Sequence, residues 1–311
     1  MADSVKSNPP TGTVATVLSV AGSDPTGGAG IQADLKTLTS LGVHGAALVT
    51  CLTVQNSFGV QRIFPLPVDL VCQQLEAVLE DHRVSHIKIG MIGTREIASG
   101  LAGILRSFTG TVVYDPIIRA TTGQPLFIGT AAGGPGEDLL SRVTVLTPNL
   151  PELEQLANVT VREPADAVMA AGRLLDRFPR LVAVLAKGGH GPRAEHVLDQ
   201  LICRGENRYE IHREEDKRIV TRNSHGTGCT LASAYTAFLS LGCGHAEAFR
   251  QSCRYVRKLL RLSAGKRIII NRNGKGPLLH CRLGQAGTSV SPDSFRRSAE
   301  TVPPHPEKRQ R

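Results

Sequence analysis

Short, uninterrupted apolar runs alternate with stretches of helical spacing along most of this chain, and few folds tolerate that order. Residues 14–21 read as a buried strand; Gly/Pro punctuation follows, then a helical stretch over 29–41. Strands are expected again at 46–54, 86–92, 111–115, 143–147 and 181–187, with helices at 68–79, at 96–108 and between the later strands. A strand without polar alternation has both faces buried, and strands alternating with helices pair in parallel through crossover connections. The expected fold class is α/β, a mostly parallel central sheet covered on both faces. Residues 196–203 and 208–212 are spaced for a hairpin late in the sheet, and two further helices are expected at 230–241 and 246–262. No Pro/Gly/Ser-rich break divides the chain, so one domain is expected over 14–284. A flexible leader (1–13) precedes it, and a tail (285–311) rich in Ser, Pro and Arg, without apolar periodicity, follows and is expected to be disordered.

Composition removes several classes of function. With 41% apolar and 20% charged residues among 311, the chain can bury one large core. No apolar run approaches the ~20 residues of a membrane-spanning helix, and MADSVKSNPPTGT lacks the apolar centre of a secretory signal. A cytoplasmic protein is expected. The seven cysteines are odd in number, irregular in spacing and free of CxxC, which argues for reduced thiols rather than a disulfide framework or zinc site. The net charge of +9 is uneven: residues 248–292 hold ten Lys or Arg and no acid. Arg254, Arg257, Lys258 and Arg261 fall on one helical face that could follow nucleic-acid phosphates. The better reading is a solvated outer face with Val256, Leu259 and Leu260 packed inward, because four Tyr, eight Phe and no Trp offer little for base stacking.

Ligands of open α/β sheets bind beyond the carboxyl ends of the strands, so the residues that follow each strand matter most. AGSDPTGGAGIQADLKT (21–37) follows the first; its glycines allow close backbone approach, and no GxxxxGK[ST] loop occurs anywhere in the chain. In NSHGTGCTLASA (223–234), Gly226 and Gly228 precede a helix whose free N–H groups and positive dipole end form an anion site. The same field favours a thiolate at Cys229, against the ordinary reading of a cysteine as a small buried hydrophobe. Asn149 and Glu152, in LTPNLPELEQL, supply oxygens suited to Mg²⁺, or else simply cap a helix. Asp115 is a second candidate acid. Lys187, before Gly188 and Gly189, is either a phosphate contact or a solvated strand end.

Taken together, the 21–37 segment, the Gln55-Asn56 pair, KIGM (88–91), TPNLPE (147–152), KGGH (187–190) and HGTGCT (225–230) resemble the phosphomethylpyrimidine kinase family in order and spacing, over roughly residues 14–281. The resemblance implies a ribokinase-like three-layer α/β/α sandwich, ATP and Mg²⁺ as cosubstrate and cofactor, and a homodimer. It implies that Gly22, Asp34, Gln55 and Met91 line a pyrimidine pocket closed by Ile117. Cys229 would be the base toward the substrate hydroxyl, with Gly226, Thr227 and Gly228 as the anion hole. Asp115 and Glu152 would hold the metal, with Asn149 and Lys187 at the nucleotide phosphates. The chain departs from the family pattern in its long basic C-terminus, in the irregular stretch TTGQPLFIGTAAGGPGED, and in the basic loop NRNGKGPLLH.

Two related activities compete. Sugar kinases of the superfamily resemble this chain but carry Asp where Cys229 stands. Cys-containing pyridoxal kinases share most of the motifs and typically carry Met at the Gln55 position. The expected activity is phosphorylation of hydroxymethylpyrimidine and its monophosphate, with pyridoxal kinase as the alternative.

Overall fold

The computed structural model describes residues 14–119, 123–128, 134–190, 195–206, 208–270 and 273–283. The expected leader and basic tail lie outside the described residues. Within them, one nine-stranded sheet forms from β1 (Thr16–Ser23), β2 (His44–Asn56), β3 (Gly59–Pro65), β4 (His86–Ile89), β5 (Thr111–Tyr114), β6 (Val145–Leu146), β7 (Ala183–Ala186), β8 (His196–Gly205) and β9 (Arg208–Lys217). The order is β3-β2-β1-β4-β5-β6-β7-β8-β9. The six strands from β2 to β7 in that order are parallel, while β3 at one edge and the β8–β9 hairpin at the other are antiparallel.

Eight helices accompany the described strands: α1 (Gly30–Ser40), α2 (Val68–Asp81), α3 (Arg95–Ile104), α4 (Glu137–Leu140), α5 (Leu150–Ala157), α6 (Pro164–Arg177), α7 (Thr227–Ser240) and α8 (His245–Ser263). Alternate residues of one strand feed opposite cores. Val112 and Tyr114 of β5 pack with Val71, Ile97, Leu153 and Leu174 from α2, α3, α5 and α6, whereas Val113 packs with Tyr235 and Phe249 from α7 and α8. The result is the expected three-layer α/β/α arrangement. Burial on both faces is why the parallel strands read as unbroken apolar runs.

Three local differences from the sequence reading bear on the site. β3 was not anticipated, because GVQRIFP is an edge strand with much of its surface exposed and lacks a clean apolar run. α7 starts at Thr227 rather than near Thr230, so Cys229 lies inside its first turn. Arg257 turns away from the exposed face of α8 and pairs with Glu214 (3.0 Å) and Asp216 (2.8 Å) of β9, leaving Arg254, Lys258 and Arg261 outside. No helix among the described residues is long and apolar enough to cross a membrane.

Candidate active site

The chain enters β2 on one side of β1 and β4 on the other, so the sheet has a switch point at β1. A crevice opens above the carboxyl ends of the strands at such a point. Here it is a cleft of about 550 Å³ that runs from Gly22, Gln55 and Met91 past Asp115, Lys187 and Cys229 to Val197, Leu231 and Val256.

Two glycine turns build its centre. Gly226 caps α7 with φ +81, and a Cβ there would stand 1.7 Å from the Gly28 carbonyl oxygen. The loop after β1 and the turn before α7 thus touch backbone to backbone, which only glycine permits. Gly30, at φ +57, also packs on backbone: a Cβ there would stand 2.2 Å from the Gly22 carbonyl oxygen. The early N–H groups of α7, those of Thr227, Gly228 and Cys229, have no acceptor within the helix and carry the positive end of its dipole.

Opposite this turn stand Asp115 and Lys187, both lodged at strand ends. Lys187 donates to Asp115 Oδ1, and Thr147 donates to the same oxygen at 3.2 Å. Asp115 Oδ2 is buried and has no hydrogen-bond partner among the described residues. Lys187 lies near the glycine turn, since a Cβ on Gly228 would be 3.3 Å from its Nζ. Burial works against the Lys187 charge, but Asp115 and Glu152 outweigh it and raise its pKa. Asn149 and Glu152 form a capping box on α5: Glu152 N–H donates to Asn149 Oδ1 (2.9 Å), and Asn149 N–H donates to Glu152 Oε2 (2.8 Å). The cap and the cleft coincide, because both side chains also line the cavity. Burial pushes the Glu152 carboxyl up to about 7, Lys187 opposing and Asp115 adding to the rise.

The two ends of the cleft differ in chemistry. Met91, Val60, Leu126 and Ile117 wall the first with apolar surface, and Gln55 is among the polar groups that line it, beside Thr53. Gly22 leaves this wall open: a Cβ there would meet Met91 Sδ at 3.1 Å. Val197, Ile219, Leu231, Val256 and Leu260 line the other end, beside Asp199 and Arg257.

A family model described as phosphomethylpyrimidine kinase matches residues 24–277. The chain belongs to the phosphomethylpyrimidine kinase family. This family member is 38% identical over 273 residues to a hydroxymethylpyrimidine/phosphomethylpyrimidine kinase of Rhizobium meliloti, covering 86% of this chain and 97% of the relative. It is 36% identical to the enzyme of that name from Escherichia coli K12, covering 85% and 96%. Among solved structures, it is similar to a phosphomethylpyrimidine kinase from Clostridium difficile 630 (TM-score 0.66, 31% identity, 79% and 99% coverage). It is also similar to pyridoxal kinase from Staphylococcus aureus in complex with ADP (TM-score 0.75, 28% identity, 88% and 96% coverage). The fold is thereby ribokinase-like, and the family member is a phosphotransferase.

Two expectations need correction in this family member. Asp34 does not line the cleft. It is fully buried beneath it, accepting from Ser19 (2.6 Å), Ser233 (2.7 Å) and Lys88 (2.9 and 3.0 Å), so both oxygens are committed. The helix dipole does not make Cys229 a thiolate either. The side chain is buried; that burial pushes the thiol up to about 11, against the pull of Lys88 and of the Gly30 N–H that the sulfur accepts.

The other expected residues, Gly22, Gln55, Met91, Ile117, Asp115, Asn149, Glu152, Lys187 and the 226–229 turn, meet in the cleft. Sequence reasoning gave no role to Asp24, His225 or Asp199. Asp24 carried a signal in Asp-Pro-Thr-Gly, an Asx-turn composition, and its carboxylate does accept from Thr26 N–H at 2.8 Å. Asp199 carried none. It accepts from Gly188 N–H at 2.8 Å and so anchors the turn after Lys187 from the neighbouring strand.

Proposed function

We propose that this protein is an ATP-dependent kinase that phosphorylates 4-amino-5-hydroxymethyl-2-methylpyrimidine and then its monophosphate, supplying the pyrimidine pyrophosphate of thiamine biosynthesis. The observation that carries this reading is a cleft among the described residues that has an apolar pocket with the Gln55 amide at one end, and a glycine turn, Cys229 and Lys187 at its centre.

In this reading the pyrimidine lies between Met91 and Ile117, with Gln55 on its polar edge and its hydroxymethyl group toward Cys229. The adenine lies in the apolar far end, near Val197 and Leu231. Transfer of a phosphoryl group needs alignment and charge stabilisation more than covalent help. The Gly226–Gly228 amides receive charge on the transferring group, Lys187 neutralises the phosphates, and the hydroxyl proton passes to Cys229 Sγ in its thiolate form, the minor form at neutral pH.

The donor set fits Mg²⁺. Asp115 has an unpartnered oxygen and stands near Glu152, and no group of three or more His, Cys, Asp or Glu among the described residues could hold a metal by itself. Magnesium ordinarily keeps waters and phosphate oxygens, so two carboxylates suffice. Bound there, the ion would screen the phosphate charge and fix the donor's geometry.

Purified protein, given ATP, Mg²⁺ and in turn the pyrimidine alcohol, its monophosphate and pyridoxal, should turn over both pyrimidines. Much faster use of pyridoxal would replace this reading with the pyridoxal kinase alternative. Gln55→Met should weaken use of the pyrimidine by about 1–3 kcal/mol in kcat/KM, because the ring's polar edge is left unpaired in a buried pocket. The KM for ATP should barely change, and unaltered selectivity for pyrimidine over pyridoxal would remove Gln55 from the pocket. Because Glu152 is raised to about 7, it gains a proton as pH falls through neutrality and loses its attraction for a cation. The Mg²⁺ concentration needed for half-maximal rate should therefore rise as pH drops below about 7. Glu152→Gln should need more Mg²⁺ throughout and lose that pH response.

We also propose a homodimer. Leu52, Val54, Phe58 and Phe64 leave a cluster of large apolar side chains exposed at the β2–β3 edge, which a second copy would cover. Sedimentation equilibrium of the purified chain tests it; a monomer at micromolar concentration would be the contrary result.

A further inference from the structure

The loop after β1 and the turn before α7 are tied by a chain of polar contacts that the proposed reaction does not use. Asp24 accepts on Oδ1 from the Thr26 N–H (2.8 Å) and hydroxyl (2.8 Å), and on Oδ2 from the N–H groups of Gly28 (3.2 Å) and Ala29 (2.8 Å). A carboxyl surrounded by that many donors is ionised. Burial would raise it, but the bonds from His225 and Thr26 prevail and hold it at about 2. His225 Nε2 lies 2.8 Å from Asp24 Oδ2. A carboxylate can only accept, so Nε2 carries a hydrogen and donates it.

The same Nε2 stands 3.1 Å from the side-chain nitrogen of Gln55, which is also a donor. At the other end, Gln55 Oε1 is 3.4 Å from Thr53 Oγ1, whose one hydrogen already goes to the Ser23 carbonyl at 2.9 Å. In that orientation the amide meets a donor with a donor and an acceptor with an acceptor. Its two ends have the same shape, so the network decides between them. Turning the amide over sets its carbonyl toward the His225 N–H, whose one hydrogen it then shares with Asp24 Oδ2, and its amino group toward a lone pair of Thr53, so that no donor faces a donor and no acceptor faces an acceptor.

We propose that Asp24 and His225 are positioning residues that lock the Gln55 amide with its carbonyl toward His225 and its amino group toward Thr53. They thereby fix the order in which it offers an acceptor and a donor to the substrate. The inference rests on the reading of Gln55 as a pocket residue. A 4-aminopyrimidine presents a ring acceptor beside an amino donor. A 4-oxo analogue presents a ring N–H beside a carbonyl, the reverse order. An amide free to turn would accept both; a locked one discriminates.

Two measurements on the full-length protein test this. In the ligand-free chain with selectively labelled Gln and Thr, the Gln55 side-chain amide protons should show nuclear Overhauser contacts to the Thr53 methyl. Contacts to the His225 ring instead would overturn the proposal. In kinetics, His225→Phe keeps the ring volume that packs against Gly28 but removes the donor. It should lower the amino-over-oxo ratio of kcat/KM by about 10-fold or more, while the KM for ATP moves little. If that variant does not fold, Thr53→Val, which removes the lone pair that receives the amide, should lower the same ratio. An unchanged ratio in a folded variant would overturn the proposal, since packing alone does not distinguish amino from oxo. If the wild-type chain uses neither pyrimidine, the proposed substrate is wrong, and the ligand-free contacts still decide whether the amide is locked.

Discussion

Cys229→Ala should lower the rate of phosphorylation of the pyrimidine alcohol by about 10²–10⁴-fold, the contribution expected of one positioned base. The alcohol is a poor nucleophile until its proton can leave. Cys229 stands in the first turn of α7, beside the amides that would receive the phosphoryl charge. The monophosphate acceptor is already anionic and needs a base less, so the second phosphorylation should lose less. The raised thiol sharpens the test. With the group at about 11 in the free protein, the thiolate is scarce at neutral pH and grows with every unit of pH. The wild-type kcat/KM for the alcohol, which reports the free enzyme's ionisations, should climb from about pH 7 toward the alkaline limit. Cys229→Ala should flatten that climb. Equal and mild losses in both steps, with the pH profile unchanged, would show that Cys229 only packs the turn. ATP binding should persist, because the variant removes one small side chain and no phosphate contact.

Lys88→Met should destabilise the fold by about 3–5 kcal/mol, the range for removing one partner of a buried ion pair. Lys88 and Asp34 are both fully buried, at 2.9 Å, and Asp34 has Ser19 and Ser233 as its remaining donors. Burial works against the Lys88 charge, yet Asp34 prevails and raises its pKa. Without Lys88 the carboxylate keeps two hydroxyl donors and no counter-charge. The midpoint of urea unfolding should drop with an unchanged slope. Lys88→Met combined with Asp34→Leu should recover much of the loss, since the stranded charge is then gone. A double variant as unstable as the sum of the singles would mean that packing, not charge, sets the cost. Burial sets the Cys229 thiol high, Lys88 pulls it down and Asp34 pushes it up, so Lys88→Met alone should raise the pH at which the alcohol reaction accelerates, and the double variant should raise it less.

The order of strands and helices was legible in the sequence because burial on both faces writes an unbroken apolar run into each parallel strand. The glycine turns were legible for a similar reason. Gly226 and Gly30 occupy backbone conformations and close approaches that other residues cannot, so Gly-rich spacing after a strand is itself a structural statement. β3 was not legible: an edge strand has one unpaired side and a largely exposed surface, and its sequence carries no buried stripe. The start of α7 was misread by three residues because Gly226, Thr227 and Gly228 look like loop until the tertiary structure supplies the neighbour that the cap leans on.

Local chemistry is fixed by the sequence, which places Cys229 after a Gly-Thr-Gly turn, joins Asn149 to Glu152 in one capping box, and puts Lys187 at a strand end. What each charged group faces is decided elsewhere. Asp34 meets Lys88 across 54 residues, Asp115 meets Lys187 across 72, and Asp24 meets His225 across 201. Those partners follow from strand order and from which helices cover which face, neither of which is written in any short stretch. The same burial that the sequence announces as apolar pattern then turned Asp34 from a ligand contact into a structural anion and Cys229 from a thiolate into a thiol. Desolvation depends on everything packed around a group, and only the assembled fold supplies that.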